Sequence, residues 1–312
     1  MKRIFIDGQE GTTGLKIHQR LANRTDIEII HIEEALRKDP AARKQCLNQA
    51  DIAILCLPDA AAKESVSLIE NPVTRVLDTS TAHRTLQGWA YGFPELSPAH
   101  RQAIAEGKRV AVPGCHASGF IALAYPLVEK GVLSKDALTM CHSLTGYSGG
   151  GKKMIAQFEA ADRDAALDSP RPYGLTQQHK HLKEMAAVSG LSTPPIFSPI
   201  VADFYCGMLV TLPLFGNQIG LSVKEVIELY QTHYKDQPFI HVYTQEEAEA
   251  LGGFAAANAL AGKDGMEIII AGNDDRMTAM ALFDNLGKGS SGAAVQCLNL
   301  MMGQPMTLGL NL

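Results

Sequence analysis

No apolar run in the 312-residue chain approaches the ~20 residues that cross a bilayer, so no membrane span is expected. No secretory signal is expected either, because Met1-Lys2-Arg3-Ile4-Phe5-Ile6-Asp7 reads as entering a strand at once. There is no excess of positive charge. Twenty-eight lysines and arginines face 33 acidic residues, for a formal net charge of −5 and a pI near 6.1, which gives no electrostatic reason to expect nucleic acid. Cysteine pairs are absent: Cys46, Cys56, Cys115, Cys141, Cys206 and Cys297 are scattered without a Cys-x-x-Cys, which argues against a zinc site and a disulfide framework. No metal is expected, and a reduced, cytoplasmic setting fits. Internal repeats and low-complexity tracts are also missing.

What is present suits an enzyme of two domains, with 46% hydrophobic and 20% charged residues and length enough for a large core. Strand patterns at 3–7, 27–32, 52–57, 74–78 and 109–112 alternate with helical ones, such as Ala60 to Glu70 before Asn71-Pro72. That rhythm is α/β, a Rossmann-type doubly wound parallel sheet. Glycines at 8, 11 and 14 follow the first strand and precede a helix. This G-x-x-G-x-x-G is a spacing variant of the dinucleotide fingerprint, which needs a tight turn and close approach of backbone to pyrophosphate; a plain βα turn is the simpler alternative. Beyond the second strand, Glu33 and Glu34 would suit NAD, whereas Arg37 and Lys38 would suit the extra phosphate of NADP. The polar stretch Asp78-Thr79-Ser80-Thr81-Ala82-His83-Arg84 falls at the carboxyl edge of the sheet, where Arg84 can clamp a phosphate or carboxylate or simply lie at the surface.

The chain centres on Val110 to Phe120. Pro113 and Gly114 end a strand, and Cys115 sits on the turn before an apolar helix pattern. The positive end of a helix dipole favours thiolate, so Cys115 is a candidate nucleophile. The small residues Gly114, Ala117, Ser118 and Gly119 leave room for a substrate carbonyl, while the plainer alternative is a buried, inert thiol. After about residue 130, longer strand patterns at 138–144, 196–201, 208–214 and 266–271 suggest an α+β domain with a mixed or antiparallel sheet, one face covered by helices. Gly146 to Lys153 reads as a glycine-dense loop whose amides can reach an oxyanion or anion. The last helix pattern, Gly289 to Met302, is expected to pack on the first domain.

A cysteine nucleophile usually works with a histidine. In His179-Lys180-His181-Leu182-Lys183-Glu184, His181 and Glu184 share a helix face, so the carboxylate can orient the ring. His179, two positions earlier, would point elsewhere. A solvated helix face explains the same letters.

Together these residues resemble the N-acetyl-γ-glutamyl-phosphate reductases of arginine biosynthesis, in their shorter form, within the semialdehyde dehydrogenase superfamily. The carriers are Gly8 to Gly14, Asp78 to Arg84, Tyr91-Gly92-Phe93-Pro94-Glu95-Leu96, Pro113-Gly114-Cys115, His179 to Glu184, and Asp284 to Gly289 with Ala294-Val295-Gln296 and Asn299-Leu300-Met301. The glycine turn and cysteine turn also occur in aspartate-semialdehyde dehydrogenases; the Tyr-Gly-x-Pro-Glu-Leu and His-x-His-x-x-Glu segments favour the glutamyl enzymes. The resemblance implies an NADP-binding domain over 1–114 completed by 286–312, and a catalytic and dimerisation domain over 115–285. It implies NADPH-dependent reduction of a small acyl phosphate through a Cys115 thioester, with His181 as base supported by Glu184. Substrate contacts fall to Arg84, His179 and Ser148, and cofactor contacts to Gly8, Gly11, Thr12, Thr13, Gly14, Ser80 and Asn285. A homodimer or homotetramer is implied. Rival readings are another acyl-phosphate reductase, or a nicotinamide-binding sensor without chemistry. The chain departs from many relatives after the cysteine, where His116-Ala117-Ser118 replaces Tyr-Pro-Thr or Tyr-Ala-Thr, and His116 has no assigned role.

Overall fold

The computed structural model describes every residue, Met1–Leu312. It divides into two compact units, Met1–Pro113 with Ser290–Leu310, and Gly114–Gly289 with Asn311–Leu312.

The first unit is built on a six-stranded, all-parallel sheet. Its strands are β1 (Lys2–Asp7), β2 (Ile27–Ile30), β3 (Ile52–Leu55), β4 (Arg75–Asp78), β5 (Ala90–Tyr91) and β6 (Arg109–Ala111), in the order β2-β1-β3-β4-β6-β5. The helices are α1 (Thr12–Leu21), α2 (Pro40–Gln49), α3 (Asp59–Leu68) and α4 (Pro98–Glu106). β3 is wholly apolar and the central residues of β1 and β4 are apolar, because parallel strands are covered on both faces, and Ile4, Ile54 and Leu77 are fully buried. The C-terminal helix, Gly292–Met301, belongs to this unit and packs against α4 and α1, its Ala294, Val295 and Leu298 joining the same core. The short edge strand β5 falls in a stretch that reads as turn-rich: two residues are too few for a periodic signal, and pairing with β6 alone makes them a strand. A buried ion pair anchors the end of β1, where Arg43 of α2 donates to Asp7 at 3.1 Å and to Ser65 of α3 at 2.5 Å.

The second unit carries a mixed sheet of β7 (Met140–Gly146), β8 (Arg171–Pro172), β9 (Ile196–Ala202), β10 (Met208–Phe215), β11 (Ile240–Val242), β12 (Met266–Asn273) and β13 (Arg276–Phe283), in the order β11-β12-β13-β10-β7-β9-β8. The pairs β7–β9 and β11–β12 are parallel and the others antiparallel. Helices α5 (Cys115–Glu129), α6 (Gly151–Glu159), α7 (Leu182–Ser189), α8 (Gly216–Ile219), α9 (Val223–His233) and α10 (Gln245–Ala250) complete it. α5 lies on β10 and β13 at close range: a Cβ on Gly119 would meet Val210 at 2.5 Å. Pro126, inside α5, cannot supply the N–H that would bond the Ala122 carbonyl. Tyr234 donates to that carbonyl instead, at 2.7 Å, and Tyr230 donates to the carbonyl of Leu123, which locks α9 to α5. No helix is long and apolar enough to cross a membrane.

The stretch Gly146 to Lys153 is not a loop. It forms a short 3-10 turn, Tyr147–Gly150, running into α6. The amides of Gly146, Tyr147 and Ser148 donate to the carbonyls of Gly207, Phe204 and Tyr205, so they are not available to an oxyanion. Gly146 is glycine because a Cβ would strike the Tyr205 carbonyl oxygen at 2.6 Å.

Candidate active site

Cys115 is the first residue of α5, with Gly114 as its N-cap. Gly114 has no side chain to cap the helix, and the first turn carries no acidic residue, so the Cys115 sulfur lies at the positive end of a 15-residue helix. Cys115 is half-buried, unlike the buried Cys46, Cys141 and Cys297. Desolvation drives the Cys141 thiol far above its ordinary range and raises Cys56 to about 12. The small residues after Cys115 serve packing rather than substrate space. Ala117 is fully buried, Gly119 lies against Val210 and Phe283 of the sheet, and the Ser118 hydroxyl donates back to the Gly114 carbonyl at 3.1 Å. Gly289 fits against Cys115, where a Cβ would sit 3.0 Å from the cysteine's own.

Opposite the turn, His181 is the N-cap of α7 and Glu184 lies in its first turn. One carboxylate oxygen of Glu184 accepts the Gly114 N–H at 3.2 Å, and the other lies 3.9 Å from Nε2 of His181. Both residues are buried. The carboxylate therefore spans the cysteine turn and the candidate base.

His179 does not point away from His181. It lies in the turn before α7, where the His181 backbone N–H donates to its Nδ1 at 3.2 Å and the two rings meet edge-on at 4.7 Å. The connecting segment is tightly pinned. Tyr173 N–H bonds the Pro199 carbonyl, and the Gln177 side chain bonds both backbone groups of Phe197, while Gly174 and Gln177 take positive φ. Both rings then face His116, at 5.8 and 5.6 Å. Burial, with smaller contributions from His179 and Lys180, depresses His116 to about 3, and burial with Lys180 depresses His179 to about 4. Both rings are neutral at physiological pH. His116, Tyr173 and Ser143 gather here beyond what the sequence indicated; only the departure at 116 pointed to one of them.

Ser148 and Asn285 meet each other, both buried. Asn285 donates to the Ser148 hydroxyl at 3.0 Å and accepts the Gly207 N–H at 2.9 Å, tying the end of β13 to the turn after β7.

In the first unit, Gly8 takes φ +87° and a Cβ there would sit 2.5 Å from the Cys56 carbonyl oxygen; one on Gly14 would sit 2.5 Å from the Gly8 oxygen. The fold itself requires those two glycines. It does not require Gly11, whose added Cβ would meet nothing closer than 3.6 Å. The space before α1 is thus kept open, and α1 has no side-chain cap over the amides of Thr12, Thr13 and Gly14. That arrangement fits a pyrophosphate. The Thr13 hydroxyl lies 3.2 Å from that of Ser290. Arg37 stands 3.9 Å from both Glu10, inside the turn, and Glu34. At the carboxyl edge, buried Asp78 accepts from the Ser80 amide and hydroxyl and binds Nδ1 of His83, whose ring stacks on Trp89 at 4.1 Å. Arg84 is buried, and donates to the carbonyls of Val112 at 2.9 Å and Thr79 at 3.0 Å.

Residues 115–285 match the family model described as semialdehyde dehydrogenase, dimerisation domain. The chain is 44% identical to N-acetyl-gamma-glutamyl-phosphate reductase 2 of a Nostoc species, over 99% of each chain. It is 47% identical to N-acetyl-gamma-glutamyl-phosphate reductase of Brucella ovis, over 97% of this chain and 99% of that one. The fold is shared with aspartate semialdehyde dehydrogenase from Francisella tularensis, with a TM-score of 0.71 at 15% identity over 97% of this chain and 100% of that one. It is also shared with the Candida albicans aspartate semialdehyde dehydrogenase solved with NADP, with a TM-score of 0.66 at 14% identity over 97% and 98% of the two chains.

Proposed function

The chain belongs to the N-acetyl-gamma-glutamyl-phosphate reductase family, and we propose that it reduces N-acetyl-γ-glutamyl phosphate to N-acetylglutamate 5-semialdehyde, releasing phosphate, through a thioester on Cys115. The observation that carries this mechanism is the Glu184 carboxylate, which holds the Gly114 amide beside the nucleophile and faces the His181 ring.

The thiolate of Cys115 attacks the acyl carbon and the phosphate leaves with the bond electrons, its charge met by Arg84. The Gly8–Gly14 turn would hold NADPH, which would supply a hydride for reduction of the thioester carbonyl. His181, as the imidazolium, gives its proton to the oxyanion that hydride addition leaves and takes it back as the hydroxyl adduct collapses, freeing the aldehyde and the thiolate. Glu184 favours the protonated ring in that step, as a carboxylate does beside a catalytic histidine. Water must be excluded while the thioester exists, because it would hydrolyse it. His179, with its neutral ring in the same cluster, and Ser148 contact substrate in this reading. Gly11, Thr12 and Thr13 would hold the pyrophosphate, Ser80 and Asn285 would complete the cofactor contacts, and Arg37 with Lys38 would meet the extra phosphate of NADP.

The enzyme works in the cytoplasm as a homodimer or homotetramer. Support for assembly comes from the sheet of the second unit, where exposed Met140, Ile196 and Phe215 alternate with residues buried under the helices.

The test is phosphate-dependent reduction of NADP by N-acetylglutamate semialdehyde, followed at the nicotinamide absorbance. A rate that vanishes without phosphate and after alkylation of Cys115 supports the scheme. A rate only with aspartate semialdehyde would move the substrate, and no rate with either would overturn it.

A further inference from the structure

His116 follows the nucleophile directly, is buried, and makes two short hydrogen bonds: Nδ1 to the Ser143 hydroxyl at 2.7 Å and Nε2 to the Tyr173 hydroxyl at 2.6 Å. It is the sole side-chain hydrogen-bond partner of both hydroxyls. A neutral imidazole donates through one nitrogen and accepts through the other, so two arrangements exist. In the first, Tyr173 donates to Nε2 and Nδ1–H donates to Ser143. The Ser143 proton would then lie in a fully buried site with no acceptor, which carries the whole desolvation penalty of an unmade bond. In the second, Ser143 donates to Nδ1 and Nε2–H donates to the Tyr173 oxygen. Every buried donor is then used, and the one proton left over is that of Tyr173, which is only half-buried.

We propose that Ser143, His116 and Tyr173 form a one-way hydrogen-bond relay that turns the Tyr173 hydroxyl into a fixed donor for the negative charge carried at Cys115, first as thiolate and then as the oxyanion of its adduct. His116 and Ser143 are positioning residues, and Tyr173 is a catalytic residue. The proposal rests on Cys115 being the nucleophile. The electrostatics agree: burial raises Tyr173 far above the ordinary tyrosine range, and a charge on Cys115 raises it further, so the phenol keeps its proton and feels that sulfur. His116 stays neutral down to about pH 3, so the relay keeps its direction across the working range. His179, His181 and Phe197 pack round the His116 ring, with Lys180 near, and Glu184 lies behind His181. Nothing in the relay is covalent or redox; it only fixes which way three protons point.

The test uses the full-length protein without substrate. The rate of Cys115 alkylation by iodoacetamide is measured against pH, with the labelled peptide identified by mass spectrometry. Tyr173→Phe raises the midpoint by about one pH unit and slows labelling at pH 7 about tenfold. His116→Phe does the same, and Ser143→Ala raises the midpoint by part of that. The double variant His116→Phe/Tyr173→Phe is no worse than Tyr173→Phe alone, since both remove one donor. His116→Gln, which keeps a side-chain N–H, recovers part of the loss. Circular dichroism melts confirm that each variant folds. Unchanged midpoints with normal wild-type labelling, or additive losses in the double variant, would overturn the relay and leave the nucleophile standing. Failure of wild-type Cys115 to label selectively would overturn both.

Discussion

The Glu184 carboxylate accepts the backbone N–H of Gly114 at 3.2 Å, across 70 residues of sequence, and so ties the helix that carries His181 to the turn that carries Cys115. A carboxylate at that amide sits at the positive end of α5 and adds to the dipole interaction there. Its second oxygen faces His181 at 3.9 Å. One side chain therefore places the Cys115 turn and His181 relative to each other.

Replacing it separates geometry from charge. Glu184→Gln keeps an acceptor for Gly114 but removes the charge beside His181, and kcat is expected to fall on the order of 10²-fold with KM nearly unchanged. Glu184→Ala also leaves the buried Gly114 amide without its acceptor and destabilises the protein by about 1–3 kcal/mol. Steady-state kinetics and chemical denaturation distinguish the two.

Cys115→Ser keeps the shape of the turn and removes the thiolate. Turnover is expected to drop at least ~10⁴-fold, the scale of losing a covalent nucleophile. NADPH affinity, read by nicotinamide fluorescence, should stay within about twofold. Wild-type turnover in this variant would disprove the thioester.

The glycines of the first turn differ in what requires them. Gly11→Ala should change stability by less than ~0.5 kcal/mol, because at φ −72° its Cβ meets only ordinary van der Waals contacts, the nearest at 3.6 Å, yet weaken NADPH binding. Gly8→Ala, at φ +87° and against the Cys56 carbonyl, should destabilise the fold by about 1–3 kcal/mol without any ligand present. Thermal melts and cofactor titration on the same samples read both. Equal loss of stability in the two variants would contradict the unstrained fit of a Cβ at Gly11.

Acid sensitivity follows from His116. Its ionisation is held at about 3 in the folded protein, against 6.5 for an ordinary histidine, because burial disfavours the cation and His179 and Lys180 add to it. The unfolded chain takes up that proton as pH falls below about 6.5 while the folded one does not. The stabilisation is therefore complete above 6.5 and is lost on acidification at about 1.4 kcal/mol per pH unit, down towards pH 3. His179 acts in the same direction but, being partly exposed, contributes less. Urea denaturation from pH 7 to 4.5 should show a shallower slope in His116→Phe by about that amount; an identical slope would mean the ring is charged in the native protein.

The one-dimensional pattern was sufficient for the elements wherever the signal is local. β1, the glycine turn and α1 follow each other within about 20 residues, and a fully apolar parallel strand needs no partner to be recognised. Cys115 at a helix start and the i,i+3 pair of His181 and Glu184 were legible for the same reason: helix geometry alone relates them. Long-range packing decided the rest. Gly119 reads as substrate space until Val210 of β10 is seen against it, and Gly146 as part of an anion-binding loop until the Tyr205 carbonyl fills the place of its side chain. His179 and His181, two apart, would diverge on a regular helix. They converge because the chain before α7 turns through Gly174 and Gln177 at positive φ and is bonded to β9. No spacing in the sequence relates His116 to Ser143 and Tyr173, 27 and 57 residues away, since only the stacking of α5 on the sheet brings their hydrogen-bonding atoms within 3 Å. Local propensity chooses the elements, whereas the partner of a buried polar group is chosen by whichever distant atom can satisfy it once water is gone.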